Sequence, residues 1–418
     1  MSAEYGISPI YMDYAATTPM PEEVVAAMLP YFGERFANPS STHPMGSAIH
    51  WETIQAREKL AFLLNVQPRE LVLTSGGTEA DNQAIWTGLR YAKTCFSCGK
   101  EKPQTSLQMA PQEQPQRPMR MAPQKPHFIS TEMEHEAILA PLHFLEQEGL
   151  ADVTLLHPGP SGIITPSALD AAIRPETVLV SIMAVNNEVG TIQPIAELAQ
   201  IVRARSGKHR ILFHTDAVQA AGHLPIDMQE WDVDMLSLSA HKFGGPKGVG
   251  LLVSRHPVVP SPFLLGGAQE RGLRAGTTNV AGLIGMTKAL EISRLHRQEE
   301  ELRLTALGNA LADGLSSLPG VLLTVAREDR LPSIVHITVA GLSQDVLLAQ
   351  LGRRGISASA GSACQAGANV ESHVLRALDV APERRRSALR FSLGAQTTQE
   401  EVTYVVEALR ACCARRDA

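Results

Sequence analysis

The chain has 418 residues, of which 44% are hydrophobic and 19% charged, with a net charge of −6. That length exceeds one compact core and predicts two domains in an ordinary globular composition. The acidic balance excludes a basic phosphate-backbone binder, so no nucleic-acid partner is expected, and no apolar run approaches the roughly 18 residues of a membrane span.

The N-terminus, Met1-Ser2-Ala3-Glu4-Tyr5, has neither a basic region nor an apolar stretch. No signal or transit peptide is read there, and a cytoplasmic location is the expectation. Strand-like runs then alternate with helical patterns. Residues 70–74 read as a strand and 81–92 as the helix after it. Phe128-Ile129 opens another strand, and the nearly continuous apolar run 177–185 fits a parallel strand covered on both faces. Runs at 211–214, 235–238 and 249–253 add three more. This order predicts an α/β doubly wound sheet in a large domain over residues 16–260. After Pro257, Pro260 and Pro262 the style changes. Residues 285–316 read as a long charged helix. Strands at 333–339, 356–359 and 388–393, with helices at 344–353 and from 398, predict a smaller α+β domain formed by 1–15 and 261–418.

One segment stands apart. Residues 100–125 are rich in Gln, Pro and Met and repeat Met-Ala-Pro-Gln at 109–112 and 121–124. Such a composition cannot offset the entropy of ordering, so a disordered surface insertion is expected. Cys95 and Cys98 flank it as one CxxC pair, half of a zinc set, and read as a loop with two thiols. With Cys364, Cys412 and Cys413 the five cysteines form no disulfide framework. They fit a reducing compartment and leave room for a reactive thiol; the Cys412-Cys413 tail is read as incidental.

Several strand ends carry polar groups, each with a plain and a chemical reading. Thr74-Ser75-Gly76-Gly77-Thr78 joins a strand to a helix; Ser and Thr are good caps, and the same free N–H groups suit a phosphate. His135, in Glu134-His135-Glu136, sits where α/β sheets place ligands, and its imidazole could stack on a ring and move protons near neutral pH. Asn187 follows the 177–185 strand and either forms a turn or donates its amide to a ligand oxygen. Asp216, three residues before Gln219, either caps a helix or holds a pyridine nitrogen protonated. In Ser239-Ala240-His241-Lys242, a Lys follows a strand beside hydroxyls and a glycine-rich turn, where a pyridoxal phosphate Schiff base would be built. A Lys at that point is otherwise a snorkelling surface residue, and Lys247 is a weaker rival. Cys364 stands in a run of small residues, Ser357 to Asn369, that suits a mobile, accessible thiol.

These motifs, in this order, resemble the NifS/IscS-like cysteine desulfurases of the class V aminotransferase family, fold-type I pyridoxal phosphate enzymes. The resemblance runs from Tyr11-Met12-Asp13-Tyr14-Ala15-Ala16-Thr17-Thr18-Pro19 to Thr397-Thr398-Gln399-Glu400-Glu401 and includes Asn38-Pro39-Ser40-Ser41. It implies a large domain with a mostly parallel seven-stranded sheet plus a small domain carrying the catalytic Cys loop. It also implies pyridoxal 5'-phosphate on Lys242, Asp216 at its ring nitrogen and His135 stacked on the ring. Asn187 and Gln219 orient that ring. Gly77, Thr78, Ser239 and His241 cradle the phosphate with Thr277, which would reach across a homodimer interface to the neighbour's site. Arg390, in Leu389-Arg390-Phe391-Ser392, would grip the substrate α-carboxylate, with Asn187 beside it. The implied reaction converts L-cysteine to L-alanine with sulfur taken by Cys364 as a persulfide. An acceptor, for instance an iron–sulfur scaffold protein, would then receive it. The insertion is similar to one in selenocysteine lyases, which keeps L-selenocysteine as an alternative substrate. Another class V enzyme would not need Cys364, and a non-enzymatic scaffold would not need the catalytic set.

Overall fold

A computed structural model describes residues 9–96, 125–361 and 371–414. Cys98, Cys364 and residues 100–124 of the predicted insertion lie outside the described residues.

Among the described residues twelve strands follow in chain order: β1 (Ile10–Tyr11), β2 (Leu71–Thr74), β3 (His127–Thr131), β4 (Asp152–Leu156), β5 (Thr177–Ser181), β6 (Leu212–Asp216), β7 (Met235–Ser239), β8 (Gly250–Ser254), β9 (Val321–Leu323), β10 (Ile334–Val339), β11 (Ile356–Ser357) and β12 (Ala388–Ser392). Seven form one sheet in the order β2-β8-β7-β6-β5-β3-β4. Only β8 runs against its neighbours β2 and β7; the remaining pairs are parallel. This is the expected α/β fold with a mostly parallel seven-stranded sheet.

β5, β6, β7 and β8 are buried along their whole length. Alternate residues serve opposite faces, as the two-residue pleat requires. Leu179, Leu212, Met235 and Leu252 pack on one side beneath the helix Gly77–Phe96. Val180, Phe213, Leu236 and Val253 pack on the other. Both faces are covered, and the polar residues within β6 and β7, His214, Thr215 and Ser237, are buried with the rest.

Two boundaries differ from the sequence expectation for physical reasons. The 177–185 run leaves the ladder at Ser181 yet stays buried; Ile182 and Ala184 still donate backbone N–H groups to His214 and Asp216. The helix after β2 begins at Gly77, not Asp81, because the Gly-Thr pair forms its first turn.

The second sheet is small and antiparallel, β12-β10-β9, and beside it β1 pairs with β11. An isolated bridge joins Asp13 to Ser392, so the beginning of the chain is sewn to its end. The helix Val280–Ser316 spans both cores. Ala281, Leu283, Met286 and Leu290 join the large one, whereas Leu304, Leu307, Leu311 and Leu315 join the small one. Among the described residues, no helix is long and apolar enough to cross a membrane.

Candidate active site

The parallel strands β2, β3, β5, β6 and β7 all end on one edge of the large sheet, where such folds place ligands. A cavity of about 220 Å³ lies there. Gly77, Thr78, His135, Asn187, Asp216, Gln219, Ser239, His241, Lys242 and Arg390 all line it. Ten of the twelve residues singled out from sequence therefore meet at one place. Thr277 is exposed and is not among the lining residues. Cys364 lies outside the described residues.

Lys242 ends the short helical turn Ala240–Lys242 that follows β7. Its Nζ donates to the carbonyl oxygens of Ala15 at 2.7 Å and Ala16 at 3.0 Å. The ammonium is thus held by a turn from the other end of the chain. Lys247, the rival, is exposed and does not line this cavity; it borders the adjoining opening with Ser75, Gly76, Thr78, Ser239 and His241.

Asp216 is the last residue of β6. Its Oδ1 accepts from the Val218 N–H at 2.8 Å, so it serves a turn and faces the cavity at once. Burial raises its carboxyl; the Val218 N–H, His135 and Lys242 pull the other way. His135 likewise does two jobs. It caps the helix Glu136–Gln147, its Nδ1 accepting from Ala137 N–H at 3.1 Å. Burial lowers its pKa, and Lys242 adds to that while Asp216 opposes it. A neutral ring whose Nδ1 accepts carries its proton on Nε2.

Asn186, not Asn187, makes the turn after the β5 strand. Its Oδ1 accepts from the N–H groups of Glu188 and Val189, both at 2.9 Å. The Asn187 side chain is left to the cavity, while its backbone carbonyl accepts from Arg390 Nη1 at 2.6 Å. Gln219 Nε2 donates to Ala15 O at 2.8 Å. His241 Nδ1 meets Thr17 Oγ1 at 3.1 Å; burial first, then Lys242 and Lys247, push its pKa down to about 4. At pH 7 it is neutral.

The phosphate end can be tested against the residues present. The first N–H groups of the helix Gly77–Phe96 have no intrahelical acceptor and point the positive end of the helix dipole outward. The cradle has no room for a side chain at position 77, since a Cβ there would lie 2.8 Å from Val218 Cγ2. Around it stand the Thr78 and Ser239 hydroxyls and the His241 imidazole. An anion-binding glycine turn, a Lys and a buried carboxylate on one cavity form a donor set that fits pyridoxal phosphate.

Some residues of this site were not foreseen from sequence. Asp81 lines the cavity from the second turn of its helix and is 1% exposed. Burial, then the charge of Asp216, raises its carboxyl well above the usual range. Glu134, fully buried behind His135, is raised well above it by burial too. Ala15 and Ala16 act through carbonyl oxygens, which no side-chain pattern reveals. The motif 11–19 was their one signal. Asp13, in the same motif, pairs with Arg390 at 2.7 Å. Of the other cysteines, Cys412 is buried and Cys95 is half-buried with its thiol pushed up by burial. Among the described residues no cluster could hold a metal ion.

The family description "Aminotransferase class-V" matches residues 10–97 and 105–405. The chain is 40% identical over 401 residues to "Cysteine desulfurase IscS" of Dictyoglomus turgidum, covering 96% of this chain and 93% of that one. It is 41% identical to the protein of the same name in Methanosarcina thermophila, covering 95% and 90%. Among solved structures, a "NifS-like protein" superposes with a TM-score of 0.84 at 32% identity, covering 97% of this chain and all of the other. A structure described as "SspA in complex with cysteine" superposes with a TM-score of 0.73 at 32% identity, covering 92% and 98%.

Proposed function

Since this chain belongs to the aminotransferase class-V family, we propose that it works as a pyridoxal phosphate-dependent cysteine desulfurase of the NifS/IscS-like branch, with the residue roles that follow. The observation that carries this reading is the convergence of Lys242, Asp216, His135 and Arg390 on one cavity. The names of its relatives favour cysteine over selenocysteine as substrate.

When bound, pyridoxal phosphate supplies a ring that accepts the electron pair left at the substrate Cα. Lys242 Nζ would hold it and would then take the Cα proton. Asp216 keeps the ring nitrogen charged, because an adjacent anion favours the cationic form. His135, neutral with its proton on Nε2, would stack on the ring and would move the substrate thiol proton. Arg390 holds the α-carboxylate through charge-assisted hydrogen bonds, with Asn187 at its side. Asn187 and Gln219 also orient the ring. Gly77, Thr78, Ser239 and His241 bind the phosphate, joined by Thr277 of a second copy in a homodimer. The exposure of Thr277 on a loop outside the cavity supports that last role.

The sulfur step balances with Cys364 as nucleophile. Its thiolate attacks the substrate sulfur, the Cβ–S bond breaks, and a proton returns to carbon. L-cysteine plus the Cys364 thiol gives L-alanine plus a Cys364 persulfide, with no external oxidant. An acceptor protein then takes the outer sulfur; the relatives' name points to iron–sulfur assembly. The chain is read as a two-domain protein, 16–260 for the cofactor and 1–15 with 261–418 for the catalytic loop, working in the cytoplasm.

The test is turnover of L-cysteine and L-selenocysteine by the purified protein and by Cys364→Ala, following alanine and the released chalcogen. Sulfide from cysteine that vanishes in the variant is expected. Full activity of Cys364→Ala would overturn the persulfide route, and turnover of selenocysteine alone would overturn the substrate.

A further inference from the structure

Arg390 sits in the middle of β12, opposite His336 on β10, and its side chain is 1% exposed. Three groups on its guanidinium can be followed. Nη1 donates to the Asn187 carbonyl at 2.6 Å. Nη2 donates to Asp13 Oδ1 at 2.7 Å. Nε is buried and has no hydrogen-bond partner. A buried donor left unpaired is costly, so this N–H marks the edge on which an acceptor is wanted.

Asp13 is itself held firmly. It bridges to Ser392 on β12. Its carbonyl accepts from Tyr11 Oη and from Ala16 N–H, each at 3.0 Å. The next residues of that turn supply the carbonyls that hold Lys242. Carboxylate and guanidinium therefore reach each other across 377 positions of sequence from two backbones fixed side by side.

We infer that Asp13 is a positioning residue for carboxylate recognition. It holds one Nη of Arg390 from the side, while the Asn187 carbonyl holds the other. The plane of the guanidinium is thereby fixed, and the N–H groups that these two partners leave unused are the ones open to the substrate α-carboxylate. A planar fork is useful for bidentate recognition only when its orientation is set. Asp13 touches no reacting atom; it acts through Arg390. The inference rests on the reading of Arg390 as the carboxylate binder.

The experiment compares the holoenzyme with Asp13→Ala, Asp13→Glu, Asp13→Asn and Arg390→Ala. The readouts are KM and kcat for L-cysteine, and inhibition constants for L-alanine and L-alaninamide, which differ only in the carboxylate. Asp13→Ala is expected to raise the L-cysteine KM and the L-alanine constant about 10-fold, the scale of one charge-assisted hydrogen bond. The L-alaninamide constant should move less than about 2-fold, because a neutral amide does not need the fork. Asp13→Asn keeps an oxygen acceptor at the same reach and should restore most of the loss. Asp13→Glu keeps the charge but displaces it by one methylene, and should impair L-alanine selectively even if Asp13→Ala does not fold. Equal weakening of both inhibitors, or no change in either, overturns the inference. If Arg390→Ala discriminates the two inhibitors while the Asp13 variants do not, only this inference fails. If Arg390→Ala leaves both unchanged, the assignment of Arg390 fails with it.

Discussion

Replacing Gly77 with alanine adds one methyl group at the point where the cofactor phosphate is proposed to sit. The new Cβ would lie 2.8 Å from Val218 Cγ2 and 3.6 Å from Ser239 Cβ. Ordinary contact begins near 3.4 Å, so Val218 must retreat by about 0.6 Å. Val218 is β-branched and stiff at χ1, and it lines the cavity. Without cofactor it can shift toward a space of about 220 Å³, and the backbone gain of alanine over glycine, up to about 1 kcal/mol in a helix, partly offsets the strain. With cofactor bound that route is closed. Overpacking then costs about 1–3 kcal/mol, which corresponds to roughly 5- to 150-fold weaker cofactor binding. The assay is titration of cofactor-free protein with pyridoxal phosphate, alongside thermal melts with and without it. The expected pattern is a weakened Kd with the melting temperature of the cofactor-free protein nearly unchanged. Adding Val218→Ala to Gly77→Ala should recover affinity, because the clashing Cγ2 is gone. An unchanged Kd, or an equal loss of stability with and without cofactor, would refute the reasoning.

Three further outcomes are expected. Borohydride treatment of the holoenzyme should fix cofactor at residue 242; Lys242→Ala should abolish the adduct and Lys247→Ala should keep it, and the reverse pattern would move the anchor to the glycine loop. Asp216→Asn should retain bound cofactor by absorbance while kcat falls about 10²- to 10³-fold, the scale of losing one preorganised electrostatic contact; near-normal turnover would sink its role. His214 is held neutral in the sheet, its two ring nitrogens against the Ser181 and Ser237 hydroxyls, and burial lowers its pKa from 6.5 to about 3. Its contribution is present above pH 6.5 and is lost as pH falls toward 3, since the unfolded chain binds the proton more readily. At pH 5 that loss is about 2 kcal/mol. His214→Gln should therefore be more destabilising in urea melts at pH 7.5 than at pH 5 by about that amount, and an equal penalty at both pH values would contradict the neutral buried imidazole.

Much of this site could be read from the chain because parallel strands buried on both faces announce where they end. β6 and β7 are buried along their whole length, and the residues with which they reach the sheet edge are Asp216 and Ser239. Asp216 reads from sequence as a helix cap or a chemical group and His135 as an imidazole at the ligand edge; in the structure Asp216 accepts from a turn N–H instead of capping a helix, His135 caps the helix Glu136–Gln147, and both line the cavity. What stayed hidden depends on contacts far apart in sequence. β4 was missed because it is an edge strand with only Leu156 buried, so its pattern lacks the apolar run. The helix Pro44–Leu63 buries Ile49, Ala56 and Leu60 but exposes Trp51 and Phe62, which blurs its periodicity. Asp81 reads as an ordinary polar helix residue until the fold closes over it.

The charge balance of the cavity follows from these unforeseen contacts. Three carboxyls, Asp81, Glu134 and Asp216, lie in or behind one small buried space. Burying three anions together is prohibitive unless protons or cations compensate. Asp81 has one oxygen with no hydrogen-bond partner, and burial, then the charge of Asp216, raises its carboxyl well above the usual range. Glu134 also rises, although the Met183 N–H and the Thr131 hydroxyl reach one of its oxygens. Asp216 differs in being pulled back by the Val218 N–H, His135 and Lys242. It is the carboxyl whose negative charge a protonated ring nitrogen would stabilise. Arg390, meanwhile, is neutralised from the side by Asp13 and not by any of the three. Asp216 is thus left to face the ring, and Arg390, braced by Asp13, to face the substrate. Asp81→Asn, which keeps the shape and removes the proton-dependent charge, should leave cofactor affinity within about 3-fold of the parent, whereas a carboxylate that had to be ionised there would cost at least about 10-fold. Direct titration of the cofactor into Asp81→Asn decides between the two.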